Sequence, residues 1–322
     1  SLPTRRSRVR PPLPAPKIVI KSKFLTKIYQ KLLNQKDIRD FKGNFLYFIF
    51  FRIIRNFLVN DLIINIYDFK VFGSINKKKT SHFLLKKCEF GDYHELNTIK
   101  QISEKNKILF LDCGCNYGFY SFYVASLSKY NEIISIEASE NTSKEFLKNL
   151  NLNKFSNISF KNNAISNVDG DKILFNESEN DWESSQTHSN FKLTKTSKVT
   201  SLKIDSLVKE YDLNNYKLII KLDIEGNEMN AIDGSLDIIQ IKSPLIIIEF
   251  SKYIFDNKDN IEYLKNFLLR YDYSIYDTNN MKQNLTDVLT KLSKLNVKHK
   301  TIGNYYLIKN SSEIFKSFFK YE

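Results

Sequence analysis

Apolar runs and polar breaks alternate along the middle of this chain with the rhythm of a parallel α/β sheet. Lys107-Ile-Leu-Phe-Leu-Asp112 places a strand near 108–112, and the aromatic-rich stretch behind it places a helix over 118–129. A strand at 132–137, a helix at 141–153 and a strand at 157–161 follow, and apolar runs at 218–223 and 244–250 continue the sheet. Short apolar strands separated by helical stretches predict strand–helix–strand units with parallel pairing. Tyr273-Ser-Ile-Tyr276 and Asn304-Tyr-Tyr-Leu-Ile308 read as two final strands. Between the units lies an insertion, 172–205, holding Lys172-Ile-Leu-Phe175, a polar stretch from Asn176 to Asn190, and Lys198-Val-Thr-Ser-Leu-Lys-Ile-Asp205. It is the best candidate for a mobile substrate lid. Trp182, the single tryptophan, would stack there on a sugar or base, or else fill core. Ser184, Ser185 and His188 would meet polar acceptor groups, with His188 as a backup base.

Upstream the pattern changes. Residues 1–17 carry five of the six prolines with Arg5, Arg6, Arg8 and Arg10, a composition expected to be a disordered tail foreign to the rest of the chain. With no apolar stretch directly after the arginines, it makes a poor signal peptide. Residues 18–95 read as a helical and hairpin extension ahead of a main domain over 96–322. The densest apolar run, Phe45 to Phe51, is broken by Arg52 and Arg55 well before the ~18 residues a spanning helix needs. Packing on the domain is the expectation, with peripheral contact at a membrane interface as the alternative. Ile63-Ile-Asn-Ile-Tyr-Asp-Phe-Lys-Val-Phe72 alternates like a strand and approaches Gly73 as its turn, which would give a hairpin beside the substrate cleft.

The strand at 108–112 ends in a carboxylate and opens into Gly114, Asn116 and Gly118 before Phe119 and Tyr120 begin the helix. Glycine at 114 and 118 lets the backbone turn sharply and leaves no side chain between it and a ligand. A dinucleotide loop would present glycine where Asn116 stands, and Asp112 would repel a pyrophosphate. The carboxyl ends of strands are where open α/β sheets bind ligands. A carboxylate there suits a cationic amine and sulfonium, both of which S-adenosylmethionine carries. Glu137 ends the next strand, 25 positions beyond Asp112, and is placed to accept ribose hydroxyls. The plainer reading makes Asp112 and Glu137 ordinary polar strand ends.

Leu218-Ile-Ile-Lys-Leu-Asp-Ile-Glu-Gly-Asn-Glu228 runs another buried-type strand into three carboxylates. Alternate strand residues share a face, so Lys221, Asp223 and Glu225 are expected to project together. Clustered acids move a pKa toward the working pH, as a general base would require. Two of them would equally hold a divalent cation through oxygen ligands. Glu228 reads as a helix start, where a negative charge meets the positive end of the helix.

With these residues in view, Asp112-x-Gly114-x-Asn116-x-Gly118-x-Tyr120-Ser121, then Glu137, Asn163-Ala164-Ile165-Ser166, Lys221-x-Asp223-x-Glu225-Gly226-x-Glu228 with Gly234, and Ile248-Glu249, the chain resembles the FkbM-type S-adenosylmethionine-dependent methyltransferases over roughly 95–275. Cys113, Cys115 and Ala138 depart from the family pattern. The resemblance implies a Rossmann-like class I methyltransferase fold, a seven-stranded mostly parallel sheet with flanking helices, here with an N-terminal extension. It implies methyl transfer to oxygen, commonly a sugar or polyketide hydroxyl. It places Asp112 to Gly118, with Phe119 and Tyr120, around the methionine part, Glu137 and Ala138 at the ribose, and Asn163 and Ala164 near the adenine. A small-molecule or glycan acceptor in polysaccharide biosynthesis follows by analogy.

Composition trims the alternatives. At 322 residues and 42% hydrophobic, the chain can bury a sizeable core. Three cysteines, Cys88, Cys113 and Cys115, form no disulfide framework or zinc spacing, which fits a cytoplasmic protein whose thiols are small buried hydrophobes. The net charge of +13 would suit nucleic acid, anionic glycans or a membrane surface, but lysine is spread nearly everywhere; Lys77, Lys78, Lys79, Lys86 and Lys87 form the clearest local cluster, which would guide an acidic acceptor. Against nucleic-acid amino methylation, the fourth strand ends in Leu222-Asp-Ile-Glu-Gly226 rather than an Asn/Asp-Pro-Pro-aromatic segment. A nicotinamide-dependent oxidoreductase is opposed by Asp112 and Asn116. A non-catalytic cofactor-binding module in glycan assembly is the alternative outside enzymes.

Overall fold

The computed structural model describes residues 17–20, 62–73, 92–178, 193–295, 301–312 and 315. Residues 1–16 of the tail, the apolar run at 45–51, the lysine cluster, Cys88, Trp182, Ser184, Ser185 and His188 lie outside the described residues, while Lys17, expected to end the tail, begins a strand.

The expected alternation is present. Helix α1 (Tyr93–Ser103) leads into β4 (Ile108–Cys113), α2 (Phe119–Leu127), β5 (Glu132–Ile136), α3 (Glu140–Asn153) and β6 (Ile158–Lys161). Later come β10 (Lys217–Leu222), α5 (Glu228–Asp233), α6 (Leu236–Lys242), β11 (Leu245–Ser251), α7 (Lys252–Phe255), α8 (Lys258–Arg270), β12 (Tyr273–Asp277), β13 (Lys282–Gln283), α9 (Leu285–Ser293) and β14 (Thr301–Lys309). The main sheet runs β13-β12-β14-β11-β10-β4-β5-β6. Its middle, β11-β10-β4-β5-β6, is parallel, and β14 enters antiparallel between β11 and β12. Counting strands from β4, the order from one edge is 3-2-1-4-5-7-6, with β13 added as a short eighth strand beyond β12. This is the Rossmann-like architecture of class I methyltransferases. The chain reverses its direction of travel across the sheet between β4 and β10, and the cleft expected at such a switch lies above their carboxyl ends.

The sheet buries both faces. Ile108, Phe110, Ile133, Ile219, Leu245, Ile247 and Tyr306 point into one core with α1, α2 and α3. Leu109, Leu111, Leu218, Ile220, Leu222, Ile246 and Ile248 point into the other, with α5, α6, α8 and α9. Two-sided burial explains why these strands read as continuous apolar runs rather than alternating ones.

The insertion forms a hairpin of β8 (Lys172–Ser178) and β9 (Leu193–Leu202), joined by the short β7 (Ala164–Ile165) alongside β9. Helix α4 (Ile204–Leu207) follows, and its Asp205 accepts from the amides of Asp237 and Ile238, docking α4 onto the start of α6.

In the extension, β1 (Lys17–Ile20) pairs with β2 (Leu62–Ile66), which pairs with β3 (Phe69–Phe72). The alternating run at 63–72 is therefore two strands, not one. Its turn is at Tyr67-Asp68, where Tyr67 takes a left-handed φ of 49°, and not at Gly73. Ile64, Phe69 and Val71 are buried in the α1–α3 core, and Phe69 packs on Phe122 with ring centroids 5.9 Å apart. Among the described residues, no helix is long and apolar enough to cross a membrane.

Candidate active site

Strand alternation decides which polar groups meet. On the α1–α3 face, Phe110 is followed two residues on by Asp112, Ile219 by Lys221 and Ile247 by Glu249, while Tyr306 is preceded two residues earlier by Asn304. Register sets Asp112 opposite Lys221, and Glu249 opposite Asn304. One face that is apolar along its length therefore ends in polar and charged groups where β4, β10 and β11 reach their carboxyl ends.

Behind β4 the chain turns back over β5: the amides of Gly114 and Cys115 both donate to the Ile136 carbonyl, at 2.9 and 3.0 Å. Gly114 has φ 79° and Gly118 has φ 88°, where an L side chain is strained. A Cβ at 114 would collide with the Asp223 carbonyl oxygen, and one at 118 would meet the Phe122 and Phe146 rings. The space a side chain would take at both glycines is thus filled by protein, so tight packing demands them before any ligand does.

Asp112 is buried. Its Oδ2 accepts from the Ser121 hydroxyl at 2.6 Å and the Ser121 amide at 3.0 Å, and Ser121 Oγ also lies 2.7 Å from Ser135 Oγ. Oδ1 is buried with no hydrogen-bond partner among the described residues. Burial pushes the Asp112 carboxyl above its ordinary range, while Lys221 and the Ser121 hydroxyl pull it back. Glu137 accepts from the Ser139 amide at 2.9 Å and the Asn116 amide at 3.0 Å, so it ties the glycine loop to the start of α3. Burial raises it to about 7. Tyr120 donates to Asp92 at 3.0 Å, and its ring lies 4.8 Å beneath Lys221 Nζ. Phe119 is buried beside it.

Lys221 is 3% exposed and pairs with Asp223 at 2.7 Å. Burial alone would lower its pKa, but Asp223, Asp112 and Asp92 around it outweigh that and raise it. The strand stops at Leu222, so the expectation that alternation carries Glu225 to the same face fails. Glu225 instead adopts φ 53° in the following turn. That turn still brings it in: oxygens of Asp223, Glu225 and Glu249 lie within 4.8 Å of one another. Lys221 is the cation set against this group. Glu228 begins α5, as read, and its carboxylate accepts from the amides of Ile224 (3.1 Å) and Gly226 (3.0 Å), pinning the turn. Burial raises Glu228 to about 7 and Glu249 to about 8, the latter with Asp223 and Glu228 adding like charge.

On the other side of the glycine loop, Ala138 packs against a small cluster of Ala164, Phe175 and Val199, and Asn163 Nδ2 donates to the Thr200 carbonyl at 2.9 Å. Asn162, next to it, donates to the Glu137 carbonyl at 2.7 Å.

A sequence model of the Methyltransferase FkbM domain matches residues 112–275, about half of the chain. The chain belongs to this family. The match begins at Asp112 and spans the glycine loop, Glu137, the Lys221–Glu228 segment and Glu249. No curated protein sequence matches the chain. Among solved structures, it is similar to a methyltransferase FkbM from Methylobacillus flagellatus KT, at 18% identity and a TM-score of 0.38, covering 70% of this chain and 52% of that one. The chain thus spans about half the length of that relative. It is also similar to TYW2 of M. jannaschii in complex with AdoMet, at 11% identity and a TM-score of 0.38, covering 77% and 84%. An rRNA methylase from Streptococcus thermophilus matches at 10% identity and a TM-score of 0.37, covering 69% and 97%.

Two rim residues, Asp92 and Glu95, lie upstream of the FkbM match and were not singled out from the sequence. Asp92 and Glu95 come from α1, upstream of every motif. Asp92 sits at the N-cap of α1 without capping it and turns inward to Tyr120; Glu95 is buried and accepts from Asn304 at 2.9 Å. Glu249 stood in the Ile248-Glu249 motif of the resemblance without a role assigned to it, and the structure brings its carboxylate to those of Asp223 and Glu225. Cys113 and Cys115 are buried, and burial with Asp112 nearby pushes both thiols up, as inert small hydrophobes.

Proposed function

We propose that this FkbM-family chain binds S-adenosylmethionine and methylates a hydroxyl on a sugar, glycan precursor or related small molecule in the cytoplasm. The observation that carries the reading is Asp112 Oδ1, a buried carboxylate oxygen with no donor among the described residues. Such an atom is costly to bury unless a ligand supplies the donor, and a cationic ammonium supplies one where a pyrophosphate would add repulsion. The surrounding chemistry fits the same group: Glu137, already fixed by two amides, keeps lone pairs for ribose hydroxyls, and Asn163 with Ala164 borders the adenine side.

S-adenosylmethionine, when bound, supplies an electrophilic methyl group on a sulfonium sulfur. The chain then has two tasks: to hold an acceptor oxygen in line, and to receive its proton. Asp223, held by Lys221, and Glu225 lie in the turn after β10 with their carboxylates converging, and an acceptor hydroxyl there would donate to one of them. Alignment of this kind can supply much of such a barrier.

The test is calorimetric titration of the full chain with S-adenosylmethionine, S-adenosylhomocysteine and NADH. Micromolar binding of the first two without the third is expected, lost in Asp112→Ala and retained in Asp223→Ala. Preference for NADH, or normal binding by Asp112→Ala, would sink the reading. Binding with no methylation of any acceptor would favour a non-catalytic module instead.

A further inference from the structure

Three carboxylates crowd the rim, and they are not equivalent. Asp223 is locked to Lys221 at 2.7 Å. An ion pair stabilises the charged carboxylate and so weakens it as a proton acceptor. Glu225 stands on a turn with a left-handed backbone, outside the sheet. Glu249 is different in support. It rises from within β11 between the buried Ile248 and Phe250, directly opposite Asn304 of β14, and its carboxylate converges on those of Asp223 and Glu225. A group that must meet a reacting atom repeatedly in one place is better held by a strand than by a turn.

We propose that Glu249 is the catalytic base, taking the single proton of the acceptor hydroxyl, while Asp223, oriented by Lys221, accepts from a neighbouring hydroxyl of the acceptor and so aligns it. This rests on the methyl-transfer reading and deepens it. The balance is simple: the acceptor oxygen gains a bond to the methyl carbon, the carbon–sulfur bond breaks with its electron pair left on sulfur, and the O–H proton goes to a Glu249 carboxylate oxygen and then to water. The products are a methyl ether, a neutral thioether and one proton.

The groups facing Glu249 come from several elements. Asp223 and Glu225 lie in the turn after β10 and Glu228 on α5, all three acidic; Lys221 of β10 is the opposing cation; Thr301 and Asn304 are on β14, and Asn304 links onward to Glu95 of α1. Like charge and burial hold the Glu249 carboxyl at about 8, against an ordinary value of 4.5. A base is most effective with a pKa near the working pH.

The test has two arms. In the full chain labelled with carboxyl-13C glutamate, the resonance lost in Glu249→Gln identifies this side chain. Its titration midpoint should lie near 8 and move to lower pH in Asp223→Asn, which removes a like charge. A midpoint in the ordinary carboxylate range, or one indifferent to Asp223→Asn, overturns the proposal. In the second arm, hexose methyl glycosides serve as probe acceptors, with methyl incorporation followed by mass. Glu249→Gln should lower transfer by about 100-fold or more while leaving S-adenosylhomocysteine affinity within about twofold. Undiminished transfer overturns the proposal. If the native chain methylates none of the probes, it is the sugar-acceptor reading that fails, while a midpoint in the ordinary carboxylate range would still overturn the role of Glu249.

Discussion

Gly114 lies directly beneath the main-chain carbonyl of Asp223, so close that a methyl group on Gly114 would overlap it. The Asp223 amide meanwhile donates to the Cys113 carbonyl at 3.1 Å, so the loops after β4 and β10 are stitched to each other at the switch point of the sheet. A residue presented by the cofactor loop and a residue presented to the acceptor are thereby held by one backbone contact.

Gly114→Ala should therefore damage both halves of the site. The left-handed backbone and the collision add up, for a cost on the order of 2–3 kcal/mol of stability, read by urea denaturation. S-adenosylmethionine affinity should fall with it. A variant of native stability and affinity would show that the two loops are not in contact.

Lys221→Met should be severe for another reason. It keeps the apolar stem but removes the cation among Asp92, Asp112 and Asp223. Breaking a buried pair leaves uncompensated charge; because the Asp223 side chain is 36% exposed and water can soften the loss, about 3 kcal/mol is expected, the low end for such pairs. Lys221→Arg should rescue it only in part, since the buried position holds a compact ammonium 2.7 Å from Asp223 and a guanidinium brings five donors that must be satisfied there. Denaturation of the three proteins side by side gives the answer.

How much of this was legible in the sequence follows from the same contacts. Strands β4, β5, β10 and β11 announced themselves because both sheet faces are buried, which leaves near-continuous apolar runs. Asp112, Glu137 and Asp223 were readable because each interrupts such a run at its carboxyl end. Glu225 does reach Asp223, but by a turn and not by the alternation expected of it, which holds only inside a strand and ends with this one at Leu222. Asp92 and Glu95 carried no local signal: what makes them part of the rim is tertiary contact with Tyr120 and Asn304. The turn at Tyr67 was hidden because a tyrosine with positive φ is uncommon and held by its surroundings rather than by propensity.

Stability should depend on pH through Glu228 in a definite direction. Its folded pKa is about 7, above its ordinary 4.5, so between those values the folded chain binds the extra proton. Stability from this group is therefore full below about 4.5 and lost as pH rises through about 7, a change on the order of 3 kcal/mol. Glu228→Gln, neutral at every pH, should flatten that part of the stability curve. Urea melts at closely spaced pH values from 5 to 8, native against variant, would reveal an unchanged slope if Glu228 does not carry it.

The hairpin of the extension is gripped by two asparagines of α3, and this gives the last prediction. Asn149 Oδ1 accepts from the Phe72 amide at 2.8 Å while its Nδ2 donates to the Tyr117 carbonyl at 3.2 Å, so one buried side chain joins β3 to the glycine loop. Asn153 makes a reciprocal pair with Lys70, both bonds at 2.6 Å. Asn149→Ala leaves an amide and a carbonyl without partners in a partly buried place, which should cost about 1–3 kcal/mol. The more telling readout is local: amide hydrogen exchange at Phe72 should accelerate, and exchange around Tyr117 with it, because the same side chain holds both. Asn153→Ala, whose hydrogen bonds among the described residues go to Lys70 and its own helix, should loosen β3 and leave the glycine loop protected. Equal exchange at Tyr117 in the two variants would mean that the hairpin and the loop are held independently.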